Sequence, residues 1–238
     1  MIEHVGVDGC RFGWLAVFSE HDLLKYRLFW KFAALAEDFP DADILVDIPI
    51  GLPWSGCMAR PCDVQARRHL GAGRASSVFL APTRAACRAQ DVSEARLLNI
   101  GEIGKSLSAQ AWGICAKVAE VDTLLLSDPA IKARVREVHP EVCFWALDDE
   151  KPMTHSKGTR AGILERLDVL TRREPRSKEL LDRVLGEQRR MDVHSDDVLD
   201  ALVAFVTASS LPSAQLQLRG EPSHDQEDLP MEMVYVRS

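Results

Sequence analysis

The chain has 238 residues, with 29 Lys plus Arg against 36 Asp plus Glu, which gives a formal net charge of −7. Hydrophobic residues make up 46% and charged residues 27%, with 14 Gly and 12 Pro, and this composition excludes collagen-like, disordered and disulfide-dense proteins. We expect one domain over 1–238, with an irregular insertion at about 48–105.

The sequence indicates a protein without a membrane partner. The first residues lack a basic segment followed by an apolar stretch, and no run approaches the roughly 18 apolar residues of a membrane span. Six scattered cysteines without an export signal predict reduced thiols in the cytoplasm. Cys57 and Cys62 form a close pair, but no second pair follows at zinc spacing, which favours free thiols over structural zinc. The oligomeric state does not follow from the sequence.

The first half of the chain predicts a meander followed by a buried strand. Strands with short connections are predicted at 5–8, 14–18 and 23–30. A short helix at 32–39 ends at Pro40, and the continuous apolar run before Asp47 predicts a strand covered on both faces. Residues 48–89 read as an elaborate loop with one helix at 63–70.

The second half predicts mainly helices. They are expected at 106–126, from Pro140 onwards, and at 161–170, 178–189 and 195–209. A fifth strand is expected at 135–138, a polar mobile loop at 211–229 and an edge strand at 231–236. The order predicts an α/β fold on the ribonuclease H-like plan, in which three antiparallel strands are followed by parallel strands in the order 3-2-1-4-5, with helices on both faces.

Asp8 and Asp47 each end a predicted strand. If these strands lie side by side and parallel, both carboxylates emerge at the edge of the sheet where open α/β sheets bind ligands. Two adjacent carboxylates repel each other unless a cation lies between them, so the pair favours a site for a hard divalent ion. Capping of a loop explains either acid alone equally well.

Asp197 and Asp200 share one face of the predicted last helix because they are three residues apart. Asp196 and Asp197 fall in the first turn, where capping and the helix dipole account for them. Asp200 lies in the second turn of a nearly all-apolar helix, so it is expected to be buried and to require a cation or donors.

Glu141 follows the predicted fifth strand and lies at the same sheet edge. An acid at a helix N-terminus is an equally good local explanation for it. The neighbouring His139 reads either as a general base or, more often for a lone His, as a core imidazole bonded to the backbone.

Residues 60–96 form an arginine-rich segment in an acidic chain, with seven Arg, no Lys and three acids. This pattern indicates either a local phosphate contact or a solvated helical surface. The candidates for contact with the nucleic acid backbone are Arg60, Arg67, Arg74 and Arg84. Arg11, in the loop after the first strand, and Lys157, in Ser156-Lys157-Gly158, are further candidates for substrate binding.

Several motifs together resemble a family of unknown function that is described as predicted RNase H-like nucleases. They are the runs at 5–14 and 47–53, the stretch 60–67, and the runs at 76–79, 137–141 and 197–202. The resemblance extends from residue 5 to about 236 and implies a ribonuclease H-like core and nuclease activity. The segment 197–202 is also similar to the last acidic motif of Holliday-junction resolvases, in which Asp8 and Asp47 match the first-strand and fourth-strand acids.

These observations lead to the hypothesis of a metal-dependent nuclease. Mg²⁺ or Mn²⁺ would be held by Asp8, Asp47, Glu141 and Asp197, with Asp200 as an alternative ligand. Two other classes stay open. One is a nucleotide-phosphate-binding protein of the sugar-kinase or actin-like core type, because the first hairpin reads apolar-Asp-Gly-x-x-x-Gly. The other is a non-catalytic module that binds nucleic acid or protein.

Overall fold

The computed structural model describes residues 2–238. The strands are β1 (His4–Gly9), β2 (Trp14–Glu20), β3 (Leu23–Phe29), β4 (Asp43–Val46), β5 (Val135–Glu137), β6 (Gln215–Leu218) and β7 (Met233–Val236). The helices are α1 (Phe32–Asp38), α2 (Pro61–Arg74), α3 (Arg84–Cys87), α4 (Val92–Ile103), α5 (Ala109–Ser127), α6 (Pro129–Lys132), α7 (Pro140–Leu147), α8 (Arg160–Arg173), α9 (Ser177–Glu187) and α10 (Ser195–Ala208). Within this part of the chain, no helix combines the length and the apolar character that crossing a membrane requires.

The described chain divides into two compact units. Unit 1 contains the chain up to Asp47, together with Arg134–Leu216 and Val234–Ser238. Unit 2 contains Ile48–Ala133 and Gln217–Met233. The insertion expected at about 48–105 lies within unit 2, which extends beyond it to Ala133 and takes in the second segment near the end of the chain.

Unit 1 is built on a five-stranded mixed sheet. The strand order is β3-β2-β1-β4-β5, which confirms the predicted order. The pairs β1–β4 and β4–β5 are parallel, and the pairs β1–β2 and β2–β3 are antiparallel. The α/β class and the antiparallel meander were therefore correctly predicted. β6 and β7 form a separate two-stranded sheet.

Four elements were not predicted within the described residues, namely the short helices α3 and α6, the longer helix α4, and the strand β6. α4 falls in the region expected to be irregular, although its ends carry ordinary signals: Asp91 accepts hydrogen bonds from the amides of Ser93 and Glu94, and Gly104 ends the helix in the left-handed conformation. β6 lies in the stretch expected to be a loop, and its four residues are too few for alternation to be recognised.

Helix α10 packs directly on the central strand β1. Every residue of α10 from 198 to 208 is buried. At Gly6 of β1, an added Cβ would lie 2.0 Å from the backbone nitrogen of Phe205 and 2.4 Å from the carbonyl oxygen of Ala201. Only glycine lets the helix backbone come this close to the strand. The position of α10 on the sheet is therefore set by the missing side chain at Gly6.

We expect Gly6→Ala to lower the free energy of unfolding by roughly 3 kcal/mol or more, because the new methyl group meets backbone atoms and the helix must move. Gly186→Ala is the matched control in α9, where an added Cβ meets nothing within 4 Å. This control is expected to be neutral or to stabilise the protein by up to about 1 kcal/mol. Urea unfolding of both variants and the wild type measures the difference, and equal stabilities would contradict the packing argument.

Candidate functional site

Asp8 and Asp47 occupy neighbouring positions on the two parallel strands. Val7 is paired with Val46, and the amide of Asp47 continues the ladder by donating to the carbonyl oxygen of Val7 at 2.9 Å. Asp8 therefore lies beside Asp47 at the carboxyl edge of the sheet, as the sequence predicted for strands that run in parallel. Asp8 is buried and Asp47 is partly buried.

Helix α10 adds two further carboxylates to this edge. Asp197 caps the helix, because its Oδ2 accepts a hydrogen bond from the amide of His194 at 2.8 Å. Asp200 is only 1% exposed, and its Oδ1 is buried without a hydrogen-bond partner among the described residues. Asp8, Asp47, Asp197 and Asp200 are named here the carboxylate cluster.

The members of the carboxylate cluster act on one another electrostatically. Burial raises the pKa of Asp8 well above its usual value, and the charges of Asp47, Asp200 and Asp197 raise it further. Burial and then the charge of Asp200 raise the pKa of Asp47 to about 8. Burial raises the pKa of Asp197 to about 6 and also raises that of Asp200. The cluster therefore cannot hold all four negative charges near neutral pH unless a cation offsets them.

Lys157 supplies one positive charge to the carboxylate cluster. Its Nζ lies 2.6 Å from Oδ2 of Asp200 and 3.8 Å from Oδ2 of Asp196. The charge of Asp200 raises the pKa of Lys157, and Asp8 and Asp47 raise it further. The Lys157 side chain is 45% exposed whereas that of Asp200 is 1% exposed, so the ammonium group covers the outer side of a buried carboxylate.

The loop that carries Lys157 is fixed to the start of α8. The carboxylate of Glu165 accepts a hydrogen bond from the amide of His155 at 2.9 Å. Gly162 lets the helix approach the loop, because a Cβ there would lie 2.0 Å from the carbonyl oxygen of Ser156. These contacts determine where Lys157 leaves the backbone.

Glu141, at the first turn of α7, is paired with the fully buried Arg166 of α8. The guanidinium forms an ion pair with Oε1 of Glu141, and its Nη1 donates to the carbonyl oxygen of His155 at 3.1 Å. Oε2 of Glu141 is buried without a hydrogen-bond partner in the part of the chain described. The charge of Glu141 contributes to the raised pKa of Asp47 and of Asp200. Glu141 therefore borders the carboxylate cluster with its charge balanced by Arg166.

Sequence reasoning missed Glu137 and Arg166. Glu137 ends β5, is 3% exposed, and its charge also raises the pKa of Asp47. Arg166 lies on the apolar face of α8 together with Leu167 and Leu170. A lone charge among apolar helix positions was the signal for Arg166, and an acid at the end of a short buried strand was the signal for Glu137.

The donor chemistry of the cluster fits a hard divalent cation. Carboxylate oxygens are the protein ligands that Mg²⁺ and Mn²⁺ prefer, and the Oδ1 atom of Asp200 is buried without a donor. Across residues 2–238, however, no three His, Cys, Asp or Glu side chains form a ready-made metal-binding group. Lys157 holds the other oxygen of Asp200, so a cation would have to replace this ammonium group.

Two arginines proposed for phosphate binding are used in internal ion pairs of unit 2. Arg60 is 1% exposed, pairs with Asp63, and donates from Nη1 to the carbonyl oxygen of Ile50 at 2.9 Å. Arg84 binds Asp122 at 2.8 Å and Asp225 at 2.6 Å. These pairings satisfy buried carboxylates, and they leave Arg60 without access to a phosphate group.

The other basic candidates are more accessible. In unit 2, Arg67 is partly buried and donates to the carbonyl oxygen of Val78, and Arg74 is partly exposed. In unit 1, Arg11 is exposed in the loop directly after β1, close in sequence to Asp8. A role for these three residues in substrate binding stays a prediction.

We expect Asp47→Asn to change how the stability of the metal-free protein depends on pH. Because the folded pKa of Asp47 is raised from 3.8 to about 8, its stabilising contribution is complete below pH 4 and is lost as the pH rises through about 8. The free energy of unfolding can be measured in urea with EDTA at pH 5 and at pH 9. The difference between the variant and the wild type should shift in favour of the variant by roughly 2 to 4 kcal/mol from pH 5 to pH 9. Asp43→Asn, at the exposed opposite end of β4, is the control, and an identical difference at both pH values for Asp47→Asn would contradict the assignment.

We expect Lys157→Met to destabilise the metal-free protein by roughly 1 to 3 kcal/mol at pH 7, because Asp200 is left buried without its cation. The double variant Lys157→Met/Asp200→Asn should recover this loss, since no charge then stays unpaired. Chemical unfolding of the wild type, both single variants and the double variant gives the coupling energy. Simple additivity of the two substitutions would show that the pair is not coupled.

Comparison with known families places this arrangement in a wider context. The family described as "Protein of unknown function (DUF429)" matches residues 6–225, a range that contains the whole carboxylate cluster as well as Glu141 and Lys157. No curated protein and no solved structure matches the chain. The chain belongs to the family described as "Protein of unknown function (DUF429)".

Proposed function

We propose that the chain is a divalent-metal-dependent nuclease that hydrolyses phosphodiester bonds of nucleic acid. One observation carries the proposal: Asp8, Asp47 and Asp200, from two strands and a helix, converge at the carboxyl edge of the sheet. Burial raises the pKa of all three, and the charge of Asp200 raises the pKa of Asp8 and of Asp47 further. A folded protein retains such repulsion where a cation or a reaction makes use of it. The resemblance to predicted RNase H-like nucleases and the sheet order 3-2-1-4-5 support the same conclusion.

Five acids would take part in binding the metal. Asp8, Asp47 and Asp200 would hold Mg²⁺ or Mn²⁺, and Glu141 and Asp197 would be the neighbouring acids that complete the charge of the site. An ion held there would supply activation of water and stabilisation of the leaving oxygen. Burial of the carboxylates keeps bulk water away from them and strengthens their attraction for a cation.

Lys157 has two roles in this proposal. Without a divalent ion, its ammonium group balances the charge of Asp200 from 2.6 Å away. With a divalent ion in its place, the partly exposed ammonium group would be available to the phosphate of the substrate, an anion that Lys binds as a point charge. Arg166 acts as a positioning residue, because it joins Glu141 to the loop that carries Lys157.

The cytoplasm is the expected place of action. All six cysteines are buried thiols outside any disulfide, and thiols persist in a reducing compartment. Nucleic acid is available there as substrate.

We expect the purified protein to cleave single-stranded RNA, single-stranded DNA or branched DNA in the presence of Mn²⁺ or Mg²⁺. Asp8→Asn and Asp200→Asn should each reduce the rate at least about a hundredfold, because each removes a charged ligand of the ion. Asp43→Asn is the control, since it makes the same chemical change at the opposite end of β4. Gel assays with labelled substrates measure the rates.

A second measurement shows whether a variant that has lost cleavage activity has also lost the ability to bind the metal ion. Mn²⁺ should raise the melting temperature of the wild type and of Asp43→Asn, but not that of Asp8→Asn. Equal cleavage by Asp8→Asn and the wild type would reject the proposal. Stabilisation by ATP with Mg²⁺, without cleavage of any nucleic acid, would instead favour the nucleotide-binding class.

A further inference from the structure

An exposed aromatic stack lies in unit 1 outside the hydrophobic core. The rings of Phe12 and Trp30 are stacked, with centroids 4.8 Å apart and an interplanar angle of 13°. Trp30 is 72% exposed, so one face of its indole is covered by Phe12 while much of the rest is open to solvent. Isolated exposed apolar residues are common, but a preformed stack with an open tryptophan is a rigid platform.

A short loop connects this stack to the carboxylate cluster. Phe12 lies in the four-residue loop that follows β1 and is only four positions after Asp8. In the same loop, burial raises the pKa of the Cys10 thiol, and the nearby carboxylates of Asp197 and Asp8 raise it further. The loop between β1 and β2 therefore begins with a residue, Cys10, that is affected by the charges of the acids, and it carries the ring of Phe12 two positions later.

Four cations flank the stack. Arg11 and Lys31 are exposed and are the immediate chain neighbours of Phe12 and Trp30. The segment with the exposed Arg189 and Arg190 reaches the same loop, because the carbonyl oxygen of Asp192 accepts a hydrogen bond from the amide of Phe12 at 3.1 Å. In the described part of the chain, these four cations take part in no ion pair.

We propose that the Phe12–Trp30 stack, with Arg11, Lys31, Arg189 and Arg190, binds single-stranded nucleic acid by stacking an unpaired base on Trp30. Bases stack on aromatic rings in proteins that bind single strands, and nearby cations follow the phosphate backbone. Exposed cations together with an open aromatic ring are complementary to a polyanion that carries stackable bases. Binding by the stack does not require the proposed nuclease function, but a role of the stack in delivering substrate does rest on that function. The substrate of the nuclease would then be a strand with unpaired bases.

The direct test is the affinity of labelled 12-nucleotide single strands, measured by fluorescence anisotropy in EDTA so that no cleavage takes place. The wild type should bind single strands at least about tenfold more tightly than a duplex of the same length. Trp30→Ala should weaken binding of single strands roughly fivefold to a hundredfold, the range for loss of one stacked base. Trp30→Phe should stay within about threefold of the wild type, because a ring is kept. Leu23→Ala, which removes a side chain that is 59% exposed at the start of β3, is the matched control and should have no effect.

Two further measurements distinguish stacking from charge alone. An abasic strand of the same length should bind the wild type and Trp30→Ala equally, because neither can stack a base on it. The double variant Arg189→Ala/Arg190→Ala should reduce the slope of log affinity against log salt concentration by an amount that corresponds to the loss of about one to two phosphate contacts. It should still bind base-bearing strands more tightly than abasic strands. If Trp30→Ala binds base-bearing strands as well as the wild type does, the inference is wrong.

The same experiment keeps this inference separate from the proposed catalysis. Asp8→Asn should retain single-strand binding in EDTA while losing cleavage with Mn²⁺. Binding that depends on Trp30 in a protein that never cleaves would support the platform and reject the nuclease. Cleavage that depends on Asp8 but is indifferent to Trp30 would support the nuclease and reject the platform.

Discussion

The close approach of α10 to β1 at Gly6 is the constraint on which the rest of unit 1 depends. An alanine methyl group at Gly6 would lie 2.0 Å from the backbone of the helix, so this contact admits no side chain. It brings Asp200, in the second turn of α10, to the edge of the sheet where Asp8 lies near the end of β1 and Asp47 directly follows β4. The carboxylates repel one another, and the backbone packing of α10 on β1 holds them close together despite this repulsion.

Burial disfavours the charged form of the carboxylates at this edge of the sheet. Cationic side chains offset the charge of two of these carboxylates in different ways. Glu141 is paired with a guanidinium that is completely buried, an arrangement that lasts as long as the fold does. Asp200 is paired with a lysine that is partly exposed and lies on a loop. We propose that this second pair, and not the fully buried one, is the place at which a divalent ion from solution would replace a side-chain cation.

The sequence predicted those parts of the site that depend on position along regular elements. Asp8 and Asp47 follow apolar strands, and Asp200 breaks an apolar helix, so their places on the sheet edge followed from the strand order. Lys157 was predicted only as a substrate contact, because its pairing with Asp200 joins residues 43 positions apart through an irregular loop. Arg166 could not be assigned to Glu141 from sequence for the same reason, since the packing of α8 beside α7 determines that pair. The insertion was recognised at its start, and its helix at 63–70 corresponds to α2, but α3 and α4 were not recognised because Gly and Pro conceal the periodicity of short segments.

We propose that the carboxylate cluster is a cation site which Lys157 covers when no divalent ion is bound. Anomalous diffraction from crystals grown with Mn²⁺ would locate such an ion. One strong peak is expected, bounded by carboxylate oxygens of Asp8, Asp47 and Asp200, with Nζ of Lys157 moved away from Asp200. A lysine still bonded to Asp200 at saturating Mn²⁺, with no peak between these acids, would contradict it.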